Sequence, residues 1–353
     1  MKCVRITGSR EADVVEVATP HAAENFAVVR ILSAPMCTEY KAYQSGTRSD
    51  ALGHEAAGEV VEVAQPGKVS VGDRVVVMPQ YPCGTCPLCL SGDYIHCEHC
   101  VDPLAVTGNT TGRATYAEYT IKQDWLLIPI PDRVPIDHGA MACCGLGPTF
   151  GAMQTMGVDR FDTVLITGMG PVGLGGVING VYRGARVIAV ESHPYRAALA
   201  RELGAAVVCD PGDPDVLQQI RELTGGVGVD AGIDCSGAPA AQRLLIDAAR
   251  RRGHIAFVGE GGEVAVAVSR DMIRKGLTLH GNWHYRLSDA PRIMRIIEGV
   301  RRTARQTDHT HLPARPCARR MGASAHGQLG QGRASPVGVP GVFARRRLSS
   351  ATR

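Results

Sequence analysis

No apolar run in this chain approaches the length of a membrane span, and Met1–Arg10 lacks the apolar core of a secretory signal. The expectation is therefore a cytoplasmic protein without a membrane partner. A dispersed disulfide framework is also missing. The twelve cysteines are clustered, and in a chain without an export signal clustered cysteines suggest metal ligands. Nor is the body of the chain basic. Residues 301–353 hold 11 Arg, no Lys and one acid, Asp308. The formal charge of +4 is thus a tail at +10 joined to a body at −6. The basic pI belongs to the tail, and no nucleic-acid partner is expected for the body.

What is present begins with length. At 353 residues and 44% apolar content, two domains with packed cores are the natural expectation. Met1–Val63 reads as short strands separated by turn signals, Phe26–Ile31 and Gly58–Val63 among them, and Val71–Met78 as a turn followed by a buried strand. After Asp162 the pattern alternates between strand and helix. The change places a domain boundary near Phe150–Asp162.

The stretch Thr163–Glu191 is the centre of the second half. Val164–Thr167 is a short, β-branched, apolar strand. Gly168, Gly170 and Gly173 follow in the spacing G-x-G-x-x-G, with Pro171 and Val172 opening a helix. In such a turn the first glycine permits the tight bend and the second lets a pyrophosphate approach backbone N–H groups. The third lets helix and strand lie close. The next strand, Arg186–Val190, ends in Glu191, 18 positions past Gly173. A carboxylate there accepts hydrogen bonds from a ribose diol and repels a 2′-phosphate, which favours NAD over NADP. Arg196, one helical turn on, could stack near adenine or bind a phosphate. Val229–Ser236 and His254–Gly259 read as later parallel strands, whose ends at Cys235–Gly237 and Val258–Gly259 face a cofactor. Gly276–Trp283 reads as the last strand. Isoleucines 293, 296 and 297 mark a helix over Pro291–Val300.

In the β-rich half, Cys83, Cys86, Cys89 and Cys97 have the spacing C-x2-C-x2-C-x7-C. Four thiolates so placed can surround one Zn²⁺ and leave no open position, which makes the site structural. Cys100, His96 and His99 are neighbouring substitutes, with Cys97 preferred. A second set is scattered: Cys37, the pair His54–Glu55 in LGHEAAG, and Cys143–Cys144 in MACCGLGPTFG. Singly, each cysteine reads as a small buried hydrophobe.

Taken together, GHEAAGEVVEVA, VGDRVVV, the four-cysteine lobe and GMGPVGLG resemble the zinc-dependent medium-chain alcohol dehydrogenases, in the sorbitol, threonine and butanediol dehydrogenase branch. The resemblance covers about residues 1–300. It implies an α/β protein: a GroES-like, β-rich catalytic domain over 1–155 with a structural-zinc lobe, and a Rossmann, doubly wound NAD-binding domain over 156–285. A helix over 286–300 would return to the first domain. The family also implies a homodimer or homotetramer. Cys37, His54 and Cys144 match the catalytic-zinc ligands, with Cys143 the alternative to Cys144, and Glu55 lies beside the metal. The reaction implied is hydride transfer between a secondary alcohol or polyol and NAD, with zinc as Lewis acid on the alcohol oxygen.

Three departures bear on this reading. The family motif Cys-Gly-Ser/Thr-Asp is here Cys37-Thr38-Glu39-Tyr40. Glu39 holds the relay-hydroxyl position and Tyr40 that of the carboxylate behind the metal site. Thr38 or Glu39 would carry the proton, or the segment is inert packing. Arg196 near Glu191 is the second departure. The third is the end of the chain, where an Arg/Pro/Gly/Ser-rich stretch over 301–353 replaces the family's closing segment and reads as disordered. One back-translation of Arg301–Met321, read one base downstream, gives DGQLDKLITHIFPLDRVQDAW, which resembles the absent family ending. The hypothesis is a frameshift near Gly299–Arg301, and sequencing the gene across that codon decides it. An inactive, cofactor-binding relative is the alternative function. A DNA-binding finger is a third, set aside because the cysteine spacing presents no recognition helix and the body is acidic.

Overall fold

β-Branched residues build the first half of the molecule. The computed structural model describes residues 1–306, and its first seven strands are β1 (Lys2–Gly8), β2 (Glu11–Glu16), β3 (Phe26–Ser33), β4 (Ala56–Glu62), β5 (Arg74–Val77), β6 (Tyr119–Gln123) and β7 (Leu127–Pro129). Strands β1 and β2 form an antiparallel pair, and the rest form an antiparallel sheet in the order β6-β3-β4-β5-β7. Side chains alternate across a strand. Ala27, Val29 and Ile31 of β3 therefore enter one apolar cluster, with Val60, Val75 and Val77. Phe26 and Val28 enter another, with Ile121.

The second half is a parallel sheet. Its strands are β8 (Thr163–Thr167), β9 (Arg186–Val190), β10 (Val207–Cys209), β11 (Val229–Asp234), β12 (Ala249–Phe257) and β13 (Thr278–Gly281), in the order β10-β9-β8-β11-β12-β13. The order reverses beside β8, as in a doubly wound fold. Helices cover both faces, so β8 is buried on both: Val164 and Ile166 enter one core cluster and Leu165 the other.

One strand begins earlier than expected. β12 starts at Ala249 rather than His254. Its first residues include Arg250, Arg251 and Arg252, which the expected strand left out. The extended path is held because Arg250 Nε donates to Asp230 at 2.6 Å and Ala249 pairs with Val229. The register breaks between Val229 and Ala231 to admit the extra residues.

Two helices join the halves. Gly147–Met156 has Phe150 in the core shared with Val76, Met78 and Leu126 of the β-rich half. Its Ala152, Met153 and Met156 lie in the core of the parallel sheet. The helix Ala290–Gln306 returns to the first core through Ile293, Met294, Ile296 and Ile297, spaced for one helical face. Its backbone stays helical six residues into the stretch read as disordered. Residues 307–353 lie outside the described residues, and most of the segment behind the frameshift hypothesis lies there with them.

Candidate functional site

The loop after β3 ends at Cys37, one residue ahead of the cap of the short helix Glu39–Ser45. His54 and Glu55 precede β4, and Cys144 precedes the helix Gly147–Met156. The fold brings these four together: ligand-type atoms of Cys37, His54, Glu55 and Cys144 all lie within 4.8 Å of one another. His54 Nε2 is 3.2 Å from Cys144 Sγ. Its Nδ1 is 2.6 Å from Glu39 Oε1, so the carboxylate fixes which nitrogen faces the sulfurs. Glu39 Oε2 accepts the Cys37 N–H at 3.0 Å and the Tyr116 hydroxyl at 3.4 Å.

Here the structure departs from a position-by-position reading. Glu39 is turned inward and buried, whereas Thr38 and Tyr40 are exposed. The carboxylate behind His54 comes from Glu39, not from position 40. Glutamate is one methylene longer than aspartate, and that length lets it reach the ring from one residue earlier.

The electrostatics suit a cation. Burial alone would raise the Glu39 pKa, but the hydrogen bond and charge of His54 outweigh it and hold the carboxyl below its usual range. Burial would lower that of His54, yet bonds to Cys37 and Glu39 raise it to about 10. The Cys37 thiol is pushed well up by its contact with Cys144 and by burial. Burial also raises Glu55, whose Oε2 accepts the Cys144 N–H at 2.9 Å. Two thiols and a carboxyl crowded out of water resist ionisation until a positive charge is supplied. The donor set therefore fits a zinc ion. Cys143 points elsewhere: its Sγ is 3.9 Å from His284 Nε2.

The lobe fits a second ion. Sulfur separations are 3.9 Å for Cys83–Cys89, 3.5 Å for Cys86–Cys89, 3.9 Å for Cys86–Cys97 and 3.6 Å for Cys83–Cys97. Four sulfurs at about 2.3 Å from a tetrahedral zinc would be about 3.8 Å apart. Backbone N–H groups of Thr85 and Cys86 donate to Cys83 Sγ, at 3.5 and 3.3 Å. With the Thr85 hydroxyl they hold that thiol down at about 5. Cys100 is exposed and its thiol turns to the Cys97 carbonyl. Cys100, His96 and His99 are outside the cluster.

In the glycine turn after β8 the three glycines differ. Gly168 has φ +81°. A Cβ on Gly170, which caps the helix Pro171–Tyr182, would meet nothing within 4 Å. A Cβ on Gly173 would collide with the Gly168 carbonyl oxygen. Pro171 and Val172 form the first turn of that helix, and Val258 follows β12. Glu191 is buried beneath the turn. Its Oε2 accepts the Met169 N–H at 2.9 Å, and its Oε1 accepts the His193 N–H at 2.8 Å and Arg196 Nη2 at 3.0 Å. Arg196 is thus ion-paired with Glu191.

Asp234, at the end of β11, was not singled out by sequence reasoning. Fully buried, it accepts from the Thr167 hydroxyl, the Ser236 N–H and hydroxyl, the Gly237 N–H and Gln242 Nε2. It ties together the strand ends that flank the turn. An acid closing an apolar strand beside Ser-Gly is a signal that could have identified it. Phe150 is buried against Tyr285, and Trp283 lies half-exposed beside His96.

The Cys37–Cys144 cluster and the glycine turn meet at one seam. A Cβ on Gly175 would strike the Gly145 carbonyl oxygen, so the loop after Cys144 rests on the helix Pro171–Tyr182. Asn179 Nδ2 donates to the Leu146 carbonyl and to Thr149 Oγ1, both at 2.9 Å. Lys41 Nζ also links the two halves, donating to the Glu260 carbonyl at 3.3 Å.

Comparison with known proteins places this arrangement. Residues 23–132 match the alcohol dehydrogenase GroES-like domain and residues 171–299 the zinc-binding dehydrogenase family. An uncharacterized zinc-type alcohol dehydrogenase-like protein of Escherichia coli is 31% identical over 310 residues, covering 80% of this chain and 84% of that protein. The L-threonine 3-dehydrogenase of Pyrococcus furiosus is 32% identical over 284 residues, 76% of this chain and 79% of its own length. The alcohol dehydrogenase TADH from Thermus sp. ATN1 superposes with a TM-score of 0.76 at 23% identity, over 85% of this chain and 90% of that one, a likeness of fold. Among the described residues no helix is long and apolar enough to cross a membrane. With both cysteine clusters closed in space and a doubly wound sheet behind them, the chain belongs to the zinc-type medium-chain alcohol dehydrogenase family.

Proposed function

We propose that this protein oxidises a secondary alcohol or polyol, with NAD as hydride acceptor and zinc at the Cys37 cluster. The observation that carries the reading is the seam at Gly145 and Gly175. It puts the loop bearing Cys144 directly on the helix that opens the nucleotide turn, so metal and cofactor would face a common cleft. Cys37, His54 and Cys144 would hold the ion, and Glu55 is a fourth donor within ligating reach. Glu39 orients His54 and makes its Nε2 the ligating nitrogen. When bound, zinc supplies a Lewis acid for the alcohol oxygen. The four-cysteine lobe would hold a structural zinc.

The remaining work falls to the protein. Residues 1–155 form the catalytic domain and 156–285 the cofactor domain, with the segment from 286, whose helix is Ala290–Gln306, returning to the first. Gly168, Gly170 and Gly173 seat the pyrophosphate on Pro171 and Val172, and Val258 lines the cofactor end of the sheet. Glu191 supports NAD over NADP because its charge opposes a 2′-phosphate. Its ion pair with Arg196 occupies an arginine that would otherwise attract that phosphate. With Glu39 bound to His54, proton transfer is left to Thr38 or to solvent. The exposed edge of β13 supports assembly as a homodimer or homotetramer.

Alcohol-dependent NADH formation across a panel of polyols, threonine and simple secondary alcohols tests the reading. Turnover with at least one of these is expected. A zinc-loaded chain that binds NADH and oxidises none of them would instead be a cofactor-binding relative.

A further inference from the structure

Behind the cleft-facing cluster lies another group of metal-type donors. Ligand atoms of Cys143, Cys144 and His284 lie within 4.8 Å of one another. Cys143 Sγ is 4.0 Å from Cys144 Sγ and 3.9 Å from His284 Nε2. Around a tetrahedral zinc, sulfur–sulfur and sulfur–nitrogen separations are about 3.8 and 3.5 Å. A modest contraction would therefore bring all three donors onto one ion. As they stand, contacts this long are weak for thiol hydrogen bonds.

The surroundings orient the group. His284 is buried, its ring stacks on Tyr285 with centroids 4.8 Å apart, and its Nδ1 faces the Tyr94 hydroxyl at 3.5 Å. That leaves Nε2 toward the sulfurs. His284 would ligate as the neutral imidazole, through the nitrogen that faces the sulfurs. Glu55 also interacts with the Cys143 side chain. Two thiolates and a neutral imidazole balance a divalent cation to zero net charge, which a dry interior tolerates.

We propose that Cys143, Cys144 and His284 form an inner position for a thiophilic divalent cation such as zinc or cadmium, sharing Cys144 with the outer set and closed to substrate. Binding there displaces the two thiol protons to solvent, with no change in oxidation state. Because one sulfur serves both positions, an ion on the inner set withdraws Cys144 from the outer one.

Cadmium titration of the chelator-stripped full chain tests this, counting ions retained after desalting and following thiolate charge-transfer absorbance. In a Cys37→Ser/His54→Ala protein the outer set keeps only Cys144 and Glu55. Two cadmium ions per chain are expected there, one in the lobe and one inside. Adding His284→Ala, or alternatively Cys143→Ser, should leave one. A single ion in the Cys37→Ser/His54→Ala protein overturns the proposal, as does a second ion that survives both further changes. The lobe ion reports that each variant is folded. Cys143→Ser, which replaces one atom, decides the matter should His284→Ala lose that ion. The count is independent of dehydrogenase activity, so loss of the proposed reaction would not imitate loss of the site.

Discussion

Glu39 Oε1 and His54 Nδ1 are 2.6 Å apart, and this contact replaces the carboxylate expected one residue later. Glu39→Gln keeps the shape but removes the charge behind the ring. Zinc retention against a chelator, or turnover, should fall by about 10–100-fold. Glu39→Asp should recover little, since the shorter side chain no longer reaches. Zinc held by Glu39→Gln as tightly as by the unaltered protein would show that His54 does not depend on this partner.

Cys144→Ser exchanges a soft thiolate for a weakly coordinating hydroxyl. Zinc should drop from two ions per chain to one, with the lobe still loaded, and NADH formation should fall by orders of magnitude. NADH binding, read by cofactor fluorescence, should persist because the turn beyond the seam keeps its N–H groups. Two retained zinc ions would remove Cys144 from the ligand set.

The glycine turn predicts opposite phenotypes for two similar changes. Gly170→Ala places a methyl in open space. The protein should melt normally while the Michaelis constant for NAD rises. Gly173→Ala drives a methyl into the Gly168 carbonyl and should cost about 1–3 kcal/mol of stability. A normal melting temperature for Gly173→Ala would mean that the strand and helix can separate without penalty.

Glu191→Ala removes the acceptor for Met169 and His193 and frees Arg196. Charge-assisted bonds of this kind contribute about 1.5–3 kcal/mol. The Michaelis constant for NAD should rise about tenfold or more, and use of NADP should improve once Arg196 is unpaired. Steady-state rates with both cofactors measure the ratio, and an unchanged preference would place the ribose elsewhere.

Lys122 is buried in β6 with Nζ on the Gln80 carbonyl at 2.8 Å and 3.6 Å from the centre of the Tyr81 ring. Burial lowers its pKa to about 7. Between there and the unfolded value of about 10.4 the unfolded chain binds the extra proton, so stability rises with pH. The slope approaches about 1.4 kcal/mol per pH unit from this group. Lys122→Met should remove that slope, and its stability relative to the unaltered protein should be highest below pH 7. Parallel denaturation curves across the window would show that Lys122 does not titrate.

The sequence carried the features that are local. C-x2-C-x2-C-x7-C and G-x-G-x-x-G fix their own geometry within a few residues, and β9 has the bounds its apolar run predicts. What depended on partners far along the chain was hidden. Glu39 was read by position in a motif, whereas its place is decided by His54 and Tyr116. Arg250–Arg252 lay outside the expected strand, and Asp230 is the partner that holds Arg250 in it. Asp234 gains its importance from Thr167 and Gln242. His284 meets Cys143 across 141 residues, a relation that no spacing rule contains.

The helix Gly147–Met156 has one end in each core, and this governs how the molecule can be recombined with its relatives. A chimera crossing over before the helix places a foreign Phe150 and a foreign Tyr285 against Met78. One crossing over at Gly157, where the helix ends, places foreign Met153 and Met156 under β8 and separates Thr149 from Asn179. The parental halves are therefore not interchangeable cassettes. A functional hybrid must inherit this helix, the glycine face of Pro171–Tyr182 and Tyr285 from the same parent.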